Sequence, residues 1–147
     1  MKKSRKGPVF TEIVLEVFKL GGLLVNVGDR IGAEFGITSA RWKVLGAISL
    51  ADKPLTVPQI ARMMGLTRQA VQRLVDVMLE DGLLDFHPNP DHKRAKLIAL
   101  SVFGKEVYSK LDEKQVKWAN ECASGIAEKD LETTLDVLKR VTKIADR

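Results

Sequence analysis

Leu55 to Leu84, LTVPQIARMMGLTRQAVQRLVDVMLEDGLL, contains two helix starts and two glycine stops in one short run. Thr56-Val-Pro-Gln59 has the pattern of a capping box: a Thr hydroxyl accepts from the backbone three residues on, and the Gln side chain reaches back. Ile60, Ala61, Met63 and Met64 then supply an apolar side, and Gly65 ends the helix after about two turns. Thr67 caps a second helix, which Gly82 closes. A short helix, a glycine turn and a capped second helix is the spacing of a helix-turn-helix.

The second helix separates its residues by chemistry. At roughly 100° per residue, Arg68, Gln69, Gln72, Arg73 and Asp76 fall within an arc of about 140°. Ala70, Val71, Leu74, Val75 and Met78 fill the opposite side. Leu79 breaks the pattern, at the far end of the helix. Arg makes two hydrogen bonds to guanine and Gln two to adenine in the DNA major groove, and a helix N-terminus such as that at Thr67 favours phosphate.

Charge placement says more than charge total. The 147 residues carry a formal net charge of +5, but Lys2, Lys3, Arg5 and Lys6 supply most of it from one terminal run, read as a solvated basic tail. No acid occurs between Asp52 and Asp76, a window holding Lys53, Arg62, Arg68 and Arg73. A second acid-free window between Asp91 and Glu106 holds Lys93, Arg94, Lys96 and Lys105. A phosphate-facing surface requires this local positive potential.

Outside that centre the chain reads as helices with one hairpin. From Pro8, apolar residues including Val9, Phe10, Ile13, Val14, Val17, Leu20, Leu24 and Val25 recur at helical spacing, with Gly36 as the stop. Thr38 caps ITSARWKVLGAISLAD, in which Trp42 is read as a core anchor, and Lys53-Pro54 breaks that helix. Leu84-Asp85-Phe86 and Lys96 to Leu100 read as strands around the turn-forming HPNPDHKRA, a β-hairpin wing with Arg94 aimed at the minor groove. Ser101 caps a helix from about 102 to 124, and a last helix runs from about 129 to 145 with two apolar flanks. The apolar first and last helices each want a partner, and a second copy of the chain is the expected one.

Composition excludes several classes. An apolar share of 45% and a charged share of 29% are ordinary for a soluble protein. No apolar run approaches the roughly 20 residues of a membrane span, and no signal-peptide pattern follows the basic start. A single cysteine, Cys122, precludes an internal disulfide framework, suits a reducing cytoplasm, and is expected to be a buried structural residue. His87 and His92 flank a turn, but no metal-ligand cluster, phosphate loop or catalytic triad accompanies them, so neither enzyme activity nor a cofactor nor a metal is expected.

The segments TSARWKVLGAI, LTVPQIARMMGLTRQAVQRLVDVMLEDGLL and NPDHKRAKLIALSVFG resemble the MarR family of bacterial winged-helix regulators, over nearly the whole chain and in the same order. The resemblance implies a mainly α fold with a small β-hairpin wing, forming one domain over 1–147. The winged helix-turn-helix core would span about 38–100, and dimerisation helices about 8–36 and 102–147. It also implies a homodimer on a palindromic duplex and transcriptional repression relieved by a small molecule or by cysteine oxidation. Oxidation is disfavoured here because no cysteine lies near the start of the first helix. Thr67, Arg68, Gln69, Gln72, Arg73, Lys93, Arg94 and Lys96 are the candidate DNA contacts, and Phe18, Trp42 and Trp118 the candidate effector-pocket residues. One departure concerns the wing, where the family commonly carries Asp-x-Arg. With Arg94 as the arginine, His92 occupies the acid's position and Asp91 lies one residue early. Neutral His92 or a shifted Asp91 would have to brace Arg94, and protonated His92 would repel it. The competing function is a winged-helix adaptor that binds protein rather than DNA. Its helix face would tolerate charge reversal at Arg68 and Arg73.

Overall fold

A computed structural model describes residues 3–147, so Lys2 of the basic tail lies outside the described residues. Among the described residues, six helices and one two-stranded sheet follow in the order α1 (Lys6–Ala33), α2 (Ser39–Ala51), α3 (Val57–Met64), α4 (Arg68–Glu80), β1 (Leu84–His87), β2 (Leu97–Leu100), α5 (Val102–Ala123) and α6 (Glu128–Ala145). This is the mainly α, winged architecture expected from the sequence. Helix α1 starts at Lys6, two residues before Pro8. Lys96, read as a strand residue, immediately precedes β2.

The caps fall where the polar residues predicted them. Thr38, Thr56 and Thr67 each accept a backbone N–H three residues on, from Arg41, Gln59 and Ala70 at 3.2, 3.3 and 3.1 Å. Gln59 completes the box by accepting the Thr56 N–H at 2.9 Å. Gly65, at φ 67°, takes the left-handed conformation that lets the chain turn from α3 into α4. Helix α2 ends earlier than Lys53-Pro54 requires, because Asp52 itself adopts φ 52° as the cap.

The chain falls into two compact units, one extending to Leu111 and the other covering Asp112–Arg147. In the first, α2 packs on α1, α3, α4 and β2, and α4 packs on β1. Val44, Leu45, Ile60, Val71, Val75, Met78 and Leu111 are fully buried and form the centre of its core. Leu84 and Ile98 carry that core into the sheet, where β1 and β2 pair antiparallel in the register Leu84↔Leu100 to His87↔Leu97. Leu55 adds a bridge to Ile98. Trp42 is half-buried against this core, as an anchor should be. Met63 is not part of it. The residue is 53% exposed, because the two-turn helix α3 turns only Ile60 and Ala61 fully inward.

The second unit is the distal part of α5 followed by α6. No residue of α6 is buried, and Leu131, Leu135, Leu138 and Ile144 are all exposed. Cys122 is also exposed, contrary to the expectation of a buried thiol. The reason is that the end of α5 lies outside the packed core of the first unit, whose α5 members are Val107 and Leu111.

Candidate nucleic-acid interface

The buried stripe of α4 fixes what its other side shows. With Val71, Val75 and Met78 turned fully inward, Arg68, Gln69, Gln72, Arg73 and Asp76 are exposed. Leu79, which broke the sequence pattern, is half-buried and packs against the core. The orientation of α4 is held at both ends. Thr67 caps its start, and Asp81 just past its end forms an ion pair with Arg41 of α2 at 3.3 Å.

The wing is tied to the end of α4 by a compact set of bonds. The Ser101 hydroxyl donates to the Gly82 carbonyl at 2.5 Å and accepts the Gly104 N–H at 2.9 Å. The Ser101 N–H donates to the Leu83 carbonyl at 3.1 Å. A Cβ at Gly104 would collide with that Leu83 carbonyl oxygen. The glycine is therefore required for close approach of α5's first turn to the α4–β1 turn. One serine thus caps α5 and fastens the return strand to the turn that follows α4.

Between the start of α3, the outer face of α4 and the hairpin lies a groove. Arg68, Gln69, Gln72, Asp76 and Leu79 line it from α4, and Phe86, Asn89, His92, Arg94 and Lys96 from the hairpin. Five of the eight residues expected to touch DNA therefore share one concave surface: Arg68, Gln69, Gln72, Arg94 and Lys96. Thr67 serves as the cap of α4. Arg73 and Lys93 are exposed but do not line this groove.

Sequence reasoning missed Phe86. It pairs with Ile98 in the sheet, and Lys96 stands two residues before Ile98, so strand alternation puts Phe86 and Lys96 on one face. The Lys96 Nζ sits 4.1 Å from the Phe86 ring centroid. This cation–π contact holds the ammonium at the groove's edge. Alternation gives the side each residue takes within its own strand, and the Phe86↔Ile98 register is what brings the two together.

His92 does not brace Arg94. Its Nδ1 accepts the Ala95 backbone N–H at 3.2 Å, and its backbone N–H donates to the Asn89 carbonyl at 3.2 Å. The Asn89 side chain in turn accepts the Asp91 N–H at 3.0 Å. His92 therefore shapes the backbone of the wing tip, while no hydrogen bond or ion pair holds Arg94 among the described residues. Arg94 keeps all its donors for a ligand.

Of the candidate effector residues, Phe18 is 75% exposed on α1 and Trp42 and Trp118 are half-buried. None of them lines the groove above or the smaller hollow around Lys53 and Lys105. Among the described residues no three His, Cys, Asp or Glu side chains are placed to hold a metal ion. None of the described helices is long and apolar enough to cross a membrane.

A capped helix with an Arg/Gln face, backed by a basic hairpin, defines a winged helix-turn-helix protein. Residues 35–95 match the model of the MarR family. An uncharacterised protein of Mycobacterium tuberculosis is 38% identical over 129 residues, covering 88% of this chain and 89% of its own length. The chain belongs to the MarR family, whose members are transcription regulators rather than enzymes. The transcriptional activatory protein BadR of Rhodopseudomonas palustris is 24% identical over 132 residues, 88% of this chain and 75% of BadR. The fold recurs in the crystal structure of CouR from Rhodococcus jostii RHA1 bound to p-coumaroyl-CoA, at a TM-score of 0.78 and 21% identity, covering 88% of this chain and 90% of that one.

Proposed function

We propose that the chain is a homodimeric, sequence-specific, double-stranded-DNA-binding transcription regulator that acts as a repressor and is released by a small-molecule effector. The observation that carries this reading is the groove itself, where Arg68, Gln69 and Gln72 of α4 face the same space as Arg94 and Lys96 of the wing. The helix carries base-reading side chains, and the hairpin carries cations suited to phosphate and the minor groove. The adaptor alternative leaves both the Arg/Gln face and the acid-free stretch from His92 to Lys105 without a role. Arg73 and Lys93, outside the groove, are assigned to flanking phosphates.

Dimerisation is supported by α1. Its 28 residues bury only Gly32, while Leu15, Phe18 and Leu23 are each more than half exposed. A continuous apolar helix of this kind is stable in water when a second copy covers it. We assign about 8–36 and 102–147 to the dimer helices of one domain spanning 1–147. Two-fold symmetry then implies a palindromic operator with half-sites roughly 10 base pairs apart.

Repression needs only occupancy of that operator. Activation, the role carried in BadR's name, requires a further contact with the transcription machinery and is the second reading. Such a regulator works in the bacterial cytoplasm, where its duplex target lies. The effector contact is assigned to the aromatic side chains Phe18 and Trp42 of the first unit, with Trp118 of the second a separate candidate, and the ligand held by CouR makes aromatic acids and their thioesters the first compounds to try. Quenching of tryptophan emission together with release from DNA is the expected result. Quenching without release would remove the effector from the account.

Selection of bound sites from random duplex DNA tests the reading as a whole. A palindromic motif is expected, with binding that weakens steeply as salt rises. Recovery of no motif would overturn sequence-specific binding.

A further inference from the structure

We propose that Asp76 is a specificity-determining residue that fixes the Gln72 carboxamide in the orientation that reads adenine. The proposal rests on the DNA-reading role of α4 given above. Asp76 is the one acid among the described residues that line the groove, and its Oδ1 accepts from Gln72 Nε2 at 2.8 Å. A carboxylate beside DNA phosphates is repelled by them, so its presence in the groove requires a compensating role.

The chemistry of the pair supplies that role. A carboxylate only accepts hydrogen bonds, whereas a carboxamide has an accepting oxygen and a donating nitrogen. Gln72 can therefore face Asp76 only through its NH₂ group. One N–H is used there, leaving a single N–H and the Oε1 for a base. Adenine offers N7 as acceptor and N6–H as donor, which matches that pair. Guanine offers N7 and O6, both acceptors, so a held Oε1 would meet a lone pair. A Gln72 released from Asp76 can turn its NH₂ toward either purine. The negative charge of Asp76 adds to the discrimination by favouring a base that presents an amino group.

A hydrogen bond between residues four apart on a helix also arises as simple surface stabilisation. The two roles separate in site selection from random duplex DNA, carried out with the full-length wild type, Asp76→Ala, Asp76→Asn and Gln72→Ala. The wild type should show one adenine per half-site preferred over guanine by about tenfold or more, the discrimination expected of a two-bond contact. Asp76→Ala and Asp76→Asn should reduce that preference to within about threefold at the same position and nowhere else. Asp76→Ala should also bind random duplex a few-fold more tightly, because a charge repelled by phosphate is gone. Gln72→Ala should erase the preference at that position, and adding Asp76→Ala to it should change base preference no further. Circular dichroism and thermal melting confirm that each variant is folded. A motif whose Gln72-dependent position keeps its full adenine preference in Asp76→Ala would overturn this proposal and leave the regulator reading intact. So would a motif with no Gln72-dependent position. Absence of any motif for the wild type would overturn both.

Discussion

Under the proposed function, Arg94 and Gln72 would meet DNA in two different ways. Arg94 is held by nothing among the described residues and is free to follow the duplex, whereas Gln72 is oriented by its neighbour Asp76 at 2.8 Å. Substitution of the two should therefore differ in kind. Arg94→Ala should weaken binding to most sequences and lower the salt dependence by about one counterion, because its contact is chiefly electrostatic. Gln72→Ala should act at one base. Fluorescence anisotropy at several salt concentrations separates them. Thr67 acts earlier in the chain of causes, by closing the first turn of α4 through its bond from Ala70. Thr67→Ala should cost about 1 kcal/mol in chemical denaturation, with Thr67→Ser restoring most of it. The cap and the exposed arc were readable from the sequence, since a capping residue and a helical period are local signals. The Gln72–Asp76 bond and the role of His92 in the wing tip were not. Spacing shows that side chains share a face but does not choose among their partners.

Helix α4 and the wing work as one piece because of the junction at Ser101. Sequence patterning gave Ser101 its role as a cap. Its second bond, to Gly82, joins residues 19 apart and depends on how the return strand lands. The same landing explains Gly104. Alanine in a helix is ordinarily favoured over glycine by close to 1 kcal/mol. Here the added methyl collides with the Leu83 carbonyl, and backbone cannot rotate away as a side chain does. Gly104→Ala should therefore destabilise the fold by about 1–3 kcal/mol, the usual range for overpacking. Gly125 provides the control, because a Cβ there meets nothing within 4 Å. Thermal melting of the two variants should show a loss for the first and little change or a small gain for the second. Phe86 marks a different limit of sequence reading. Its strand was recognised, but the face it presents became evident only once the Phe86↔Ile98 register placed Lys96 beside it.

The whole molecule is organised around surfaces that the single chain leaves uncovered. The core of the first unit closes around α2, α3, α4 and the sheet, whereas most of α1 and all of α6 stay accessible. Both helices were legible as apolar and amphipathic, but nothing in their periodicity distinguishes a partner in the same chain from one in another. The dimer account predicts that Leu15→Asp combined with Leu23→Asp yields a folded monomer in sedimentation velocity, with strongly reduced affinity for a palindrome. An unchanged sedimentation coefficient would place the dimer contact elsewhere. The central claim, that the α4 face reads base sequence, is tested most directly by comparing one selected operator with a random duplex of equal length. Equilibrium binding of the wild type and Arg68→Ala to both should show a loss of about 1–3 kcal/mol on the operator and a much smaller loss on random DNA. Equal losses on the two duplexes would mean that this face touches only phosphate, and would contradict the account.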